Sequence, residues 1–119
     1  MTGALAIFVK TPQLSPVKTR LASDLGEALA QEFYQRSLKV TQSLAKEIQE
    51  NTSSLTAYWA VAEKFGLGHS LWNAFPTLNQ GSGSLGERLA HVYGQLIERH
   101  DYVCFMGSDS PQVPLQDLL

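Results

Sequence analysis

The sequence predicts an α/β fold of three layers, α/β/α, built on a mostly parallel sheet. Three observations carry this. Short apolar runs alternate with helical segments in the order β-α-β-α-β-α-β, the pattern of parallel strands joined by crossovers. The first run, Ala4-Leu5-Ala6-Ile7-Phe8-Val9, is apolar on both faces, as a central strand covered on two sides must be. Three loops rich in glycine, proline or charge follow strands, where open α/β sheets take their ligands.

After the first strand, residues 10–19 form a polar loop. Pro12 and Pro16 argue against a helix through it, because proline lacks an N–H and restricts the residue before it. Asp24 with Glu27 three residues later fits the wider pattern of a capping pair. The helix it opens runs to about Gln49, with Leu29, Phe33, Val40, Leu44 and Ile48 close to one stripe. Residues 51–54 are a turn, and residues 55–62, with Tyr58, Trp59 and Val61, are a second strand. Gly66, Gly68 and Pro76 limit residues 65–74 to a short helix. Residues 77–80 follow as a short strand. Gly81-Ser82-Gly83 is a loop, and Ser84 opens a helix with Glu87 at its third position, a capping box. Leu85, Leu89, Val92 and Leu96 lie at helical spacing along it. Tyr102-Val103-Cys104-Phe105-Met106 reads as the next buried strand, ended by Gly107-Ser108-Asp109-Ser110-Pro111. A further helix starts near Val113.

The 119 residues are the size of one domain, 1–119, and large enough to bury a core without staples. Hydrophobic residues at 44% and charged residues at 17% are globular rather than disordered composition. A net charge of -2 with a pI near 5.8 disfavours a general nucleic-acid binder, which is more often basic. Cys104 is the one cysteine, so no internal disulfide forms, and its apolar neighbours make it a small hydrophobe. A reducing, cytoplasmic setting fits. No run approaches the roughly 20 residues that span a bilayer, and the first apolar run is too short for a secretory leader. His69, His91 and His100 lack metal-ligand spacing, and Trp59 and Trp72 read as packing residues.

Each of the three loops suits part of a phosphate ligand. The first places Lys10, Lys18 and Arg20 within eleven residues. Arginine can grip two phosphate oxygens through its fork, and lysine acts as a point charge. A solvated basic turn is the plainer account. The second loop, Gln80-Gly81-Ser82-Gly83-Ser84-Leu85-Gly86-Glu87-Arg88, has glycines that admit a ligand to the backbone and a helix start that offers free amides. A flexible linker with a good N-cap, and a surface ion pair for Arg88, are its plainer accounts. The third holds Asp109, a carboxylate that could bind Mg²⁺ or Mn²⁺ shared with phosphates. An Asx-turn would also suit Ser-Asp-Ser-Pro.

These motifs form one pattern across residues 4–111. Phe8-Val9-Lys10-Thr11-Pro12 is followed by Val17-Lys18-Thr19-Arg20-Leu21. Gln80-Gly81 comes next with Leu85-Gly86-Glu87-Arg88-Leu89, then Gly107-Ser108-Asp109-Ser110-Pro111. The pattern resembles the glycosyltransferase-like family of radical-SAM/selenodomain-associated transferases. That family is related to the Rossmann-like GT-A fold of nucleotide-diphospho-sugar transferases and, more distantly, to guanylyltransferases. The resemblance implies the N-terminal half of a GT-A fold and a metal-dependent glycosyltransferase that binds a nucleotide-diphospho-sugar. It implies nucleotide or phosphate binding by Lys10, Lys18, Arg20, Gln80, Gly81 and Arg88, and Mg²⁺ or Mn²⁺ at Asp109. A nucleotidyltransferase using a nucleoside triphosphate is the alternative enzyme. A non-catalytic nucleotide-binding or dimerising module is the alternative from another class. Members of the family are usually nearly twice this long, so a fragment, a truncated product and a chain completed as a homodimer all remain open. No catalytic base can be named from these residues. The expected partner is a nucleotide or nucleotide-sugar, with neither nucleic acid nor membrane.

Overall fold

The fold is seen in a computed structural model that describes residues 1–11 and 26–107. Its elements are β1 (Gly3–Val9), α1 (Glu27–Asn51), β2 (Leu55–Val61), β3 (Thr77–Asn79), α2 (Leu85–Ile97) and β4 (Tyr102–Gly107). Two short 3-10 turns, Lys64–Gly66 and Ser70–Trp72, stand where one short helix was expected between β2 and β3. Gly66 and Gly68 lose more backbone freedom on ordering than other residues, which disfavours a continuous helix through that stretch.

All four strands are parallel, in the order β3-β2-β1-β4. β1 is therefore central, as its two apolar faces require, and Ala4, Leu5, Ala6, Ile7 and Val9 are all buried. Successive side chains of a strand point to opposite faces. On one face Leu5, Ile7 and Val9 join Ala57, Trp59 and Val61 under α1, which contributes Tyr34, Leu38 and Ala45. On the other face Ala4, Ala6 and Ala60 lie under Val92 and Leu96 of α2. The helices thus cover the sheet from both sides, giving the three layers. Trp59 anchors the first face, 5.0 Å from the Trp72 ring and 5.2 Å from the Phe75 ring.

Short β3 pairs β2 only from Trp59 to Val61, which leaves the start of β2 without a strand on that side. Gln49 of α1 meets part of this need: its Oε1 accepts the Ala57 N–H at 2.7 Å, so a backbone donor is not left buried and unbonded. At the same end of the sheet the Thr2 N–H donates to Asp101 Oδ2 at 2.7 Å, and the Asp101 N–H donates to the Thr2 carbonyl at 2.8 Å.

Four local expectations are corrected. The N-cap of α1 is Gly26, with no side-chain cap, and the helix opens at Glu27; Asp24 lies outside the described residues. The buried stripe of α1 is Ala30, Tyr34, Ser37, Leu38, Thr41 and Ala45, while Leu29, Phe33 and Val40 are 48%, 46% and 54% exposed. Leu44 and Ile48 pack at its margin. The true stripe contains small and hydroxyl side chains. Thr41 can be buried because its hydroxyl donates to the Ser37 carbonyl at 2.8 Å. β4 is an edge strand among the described residues. Met106 is its one buried residue and Cys104 is half-buried. On α2, Val92 and Leu96 are buried, but Leu85 is 66% exposed, and the residues beside it in the first turn are exposed too.

Candidate functional site

Strand order reverses between β1 and β4: the chain leaves β1 for β2 on one side and returns to its other side only at β4. A ligand crevice opens at such a point, outside the carboxyl ends of the strands. Here Phe8, Val9, Lys10, Tyr34, Gln80, Leu85 and Arg88 line a crevice of about 140 Å³. Beside it Phe8, Leu85, Leu89, Phe105, Met106 and Gly107 line a more apolar one of about 180 Å³. The two share Phe8 and Leu85, so they form one trough with a cationic end and an apolar end. Sites for drug-sized ligands usually hold about 300 Å³ or more. Each half is therefore smaller than such a site.

Lys10 is delivered by the end of β1. Its N–H donates to Tyr34 Oη at 2.7 Å and its carbonyl accepts from the same hydroxyl at 2.8 Å. The next residue, Thr11, is fully buried. Its N–H donates to Glu63 Oε1 at 2.7 Å, and its Oγ1 accepts from Trp72 Nε1 at 3.3 Å. The exit of β1 is thus held from α1, from the segment after β2 and from the second 3-10 turn.

Gln80 is buried, and its amide is engaged on three sides. Nε2 donates to the Val9 carbonyl at 3.1 Å and to the Ala60 carbonyl at 2.8 Å. Oε1 accepts from Arg88 Nη1 at 3.5 Å. The side chain therefore ties the ends of β1 and β2 together and touches the arginine. Arg88 Nε donates to the Gly83 carbonyl at 3.1 Å. Both acceptors are neutral. Among the described residues the one ion pair is Arg36–Glu32, at 2.8 Å on the surface of α1. The Arg88 charge thus has no carboxylate partner there, and part of its fork stays available to an anion.

The Gly81 N–H donates to Asn79 Oδ1 at 3.0 Å. Gly81 adopts φ +83°, and a Cβ there would sit 2.9 Å from the His91 ring. Only glycine fits this bend without strain. Ser84 and Glu87 form the expected capping box: Ser84 Oγ accepts the Glu87 N–H at 3.2 Å and Glu87 Oε1 accepts the Ser84 N–H at 3.1 Å. The bond from the Ser84 backbone, then that from its side chain, holds the Glu87 carboxyl below its ordinary 4.5. The helix start thus already has a negative charge beside it. An anion in the crevice would owe more to Lys10 and Arg88 than to the helix end.

The structure brings Lys10, Gln80 and Arg88 to one crevice, and Gly81 bends the chain beside it. Lys18, Arg20 and Asp109 lie outside the described residues. No group of three or more His, Cys, Asp or Glu suited to a metal occurs among the described residues. The three histidines bond away from the crevice: His69 to Leu71 and His91 to Gln95 within their own segments, and His100 to Tyr58 across 42 residues. Tyr34 and Glu63 were not foreseen. Setting the helix stripe on Ala30, Tyr34, Leu38 and Ala45 places Tyr34 on the buried face, but not against Lys10.

The sequence profile of DUF2064, described as "uncharacterized protein conserved in bacteria", matches residues 49–119, more than half of the chain. The chain belongs to the DUF2064 family. Among curated proteins none matches it. Among solved structures it is similar to one from Desulfovibrio desulfuricans G20, a "putative nucleotide-diphospho-sugar transferase". The TM-score is 0.76 and the identity 22%, over 98% of this chain and 51% of that one. A likeness at that identity shows the fold alone. This DUF2064 chain therefore shares the α/β fold of that solved structure and spans about half its length. No described helix is long and apolar enough to cross a membrane.

Proposed function

We propose that the chain binds the diphosphate of a nucleotide-diphospho-sugar and serves a metal-dependent glycosyl transfer. The observation that supports this most is the meeting of Lys10 and Arg88 in one crevice at the point where strand order reverses. The two cations come from elements 78 residues apart in sequence (88 less 10), so their meeting is a product of the fold. Lys18 and Arg20 follow Lys10 in sequence and are proposed to add to the phosphate charge. The motif order supports the further likeness to radical-SAM/selenodomain-associated transferases.

Breaking the bond between a sugar and a diphosphate leaves negative charge on the departing phosphate. Fixed cations that meet this charge as it develops lower the barrier by positioning and electrostatics. Arg88, braced by Gly83 and Gln80, can meet two oxygens without first being ordered. Lys10 can meet the other phosphate as a point charge. Asp109, two residues beyond the Gly107 that lines the trough, is the residue proposed to hold Mg²⁺ or Mn²⁺. Such an ion, when bound, neutralises charge on the diphosphate.

Thermal unfolding with UDP- or GDP-sugars, GTP and CTP, each with and without Mn²⁺, tests this reading. A nucleotide-sugar at about a hundred times its dissociation constant should add about 2.7 kcal/mol to stability. Arg88→Ala should weaken binding about tenfold to a hundredfold, the range for lost charged hydrogen bonds. Asp109→Ala should abolish the metal dependence. Stabilisation by triphosphates alone would replace glycosyl transfer with nucleotidyl transfer. Binding without release of nucleotide diphosphate would leave a non-catalytic module.

A further inference from the structure

We propose that Tyr34 is a positioning residue for Lys10, setting the phosphate affinity of the crevice through that lysine. The proposal rests on the reading of the crevice as a diphosphate site. β1 runs out of partners at its carboxyl end. Among the described residues its last rung with β4 is Phe8 opposite Gly107, and its last rung with β2 is Val9 opposite Val61. Lys10 therefore lies one residue beyond the sheet, where strand pairing no longer fixes the peptide.

The Tyr34 hydroxyl takes over that role. It accepts the Lys10 N–H at 2.7 Å and donates to the Lys10 carbonyl at 2.8 Å. Two bonds from one oxygen to both polar groups of one residue fix the direction in which the lysine leaves the strand. The clamp is itself rigid: Tyr34 is 1% exposed and packed in the core beside Leu38. It also lines the crevice into which Lys10 leads. Phenylalanine would fill the same core space, so a residue chosen for packing alone would not need the hydroxyl. Glu63 holds the following peptide, at Thr11, so the Lys10 and Thr11 amides are held from different elements.

The test is isothermal titration of the full chain with inorganic pyrophosphate, comparing wild type, Tyr34→Phe, Lys10→Met and the double variant. Urea unfolding of each reports the fold. Tyr34→Phe should weaken pyrophosphate binding about fivefold, roughly one net hydrogen bond's effect. It should add no further loss in the Lys10→Met background, because the clamp acts only through the lysine. Additive losses would mean that Tyr34 supports the fold generally, and would overturn the proposal. So would unchanged affinity in Tyr34→Phe while Lys10→Met binds weakly; in that case the crevice reading survives alone. If wild type does not bind pyrophosphate, the crevice reading fails and the positioning role with it. Should Tyr34→Phe unfold, Tyr34→3-fluorotyrosine keeps the ring and both partners while altering the hydroxyl's bonding strength. A changed affinity there supports the clamp, and an unchanged one overturns it.

Discussion

Glu87 is a solvent-exposed carboxylate whose acidity is set by the first turn of its own helix. Its bonds with Ser84 hold the carboxyl below 4.5 in the folded chain. Folding therefore favours the ionised form. The stability that follows is fully present above about pH 4.5 and is lost as pH falls through the depressed value. Urea midpoints for wild type and Glu87→Gln should differ at neutral pH, and the gap should narrow as pH falls below about 4.5; a gap that does not narrow in acid would refute the assignment. This box was legible in the sequence because Ser84 and Glu87 are three residues apart and need no tertiary partner. So was the placing of Gln80 and Arg88 near one another, eight residues apart on a loop and the helix it opens. Tyr34 and Glu63 were not legible. They reach the first loop across 24 and 52 residues, and nothing in the local pattern of a tyrosine in a helix or a glutamate after a strand records such a partner.

The elements differ in how their sequence specifies them. α2 announces both its start and its buried face, because its cap is polar and its core residues Val92 and Leu96 are bulky. α1 does not. It starts at Gly26 without a side-chain cap, and its buried stripe mixes alanine, serine and threonine with Tyr34 and Leu38. A reading that weights large apolar residues rotates the helix toward Leu29, Phe33 and Val40. The bend at Gly81 is more strictly determined, since its positive φ and the His91 ring both exclude a side chain. Gly81→Ala should cost about 1–3 kcal/mol, the range for strained backbone, read from urea unfolding. A variant as stable as wild type would show that the loop relaxes freely around position 81.

At the scale of the molecule, the alternation of strands and helices was enough to foresee a parallel sheet with helices on both faces. The order of the strands was less accessible. An apolar run such as residues 102–106 fits an interior strand or an edge, because the sequence of a strand does not encode how many neighbours it has. The layering also makes unequal demands on α2. Leu96 is 1% exposed between helix and sheet, whereas Leu85 is 66% exposed on the lip of the trough. Leu96→Ala should lower unfolding stability by about 2–5 kcal/mol, and Leu85→Ala by no more than about 0.5 kcal/mol. Equal losses in chemical denaturation would contradict the packing of α2 on the Ala4, Ala6 and Ala60 surface.

The aromatic cluster beneath α1 also gives the molecule an optical reporter. The chain has two tryptophans, and their rings lie 5.0 Å apart. The Trp59 indole nitrogen is buried with no hydrogen-bond partner among the described residues, an environment that shifts emission to the blue. The Trp72 indole instead donates to Thr11, the residue directly after Lys10. A displacement of the first loop that reaches Thr11 is therefore felt by one fluorophore and passed to the other through their contact. The light emitted by the core becomes a gauge of the chain at the crevice, read without an added label.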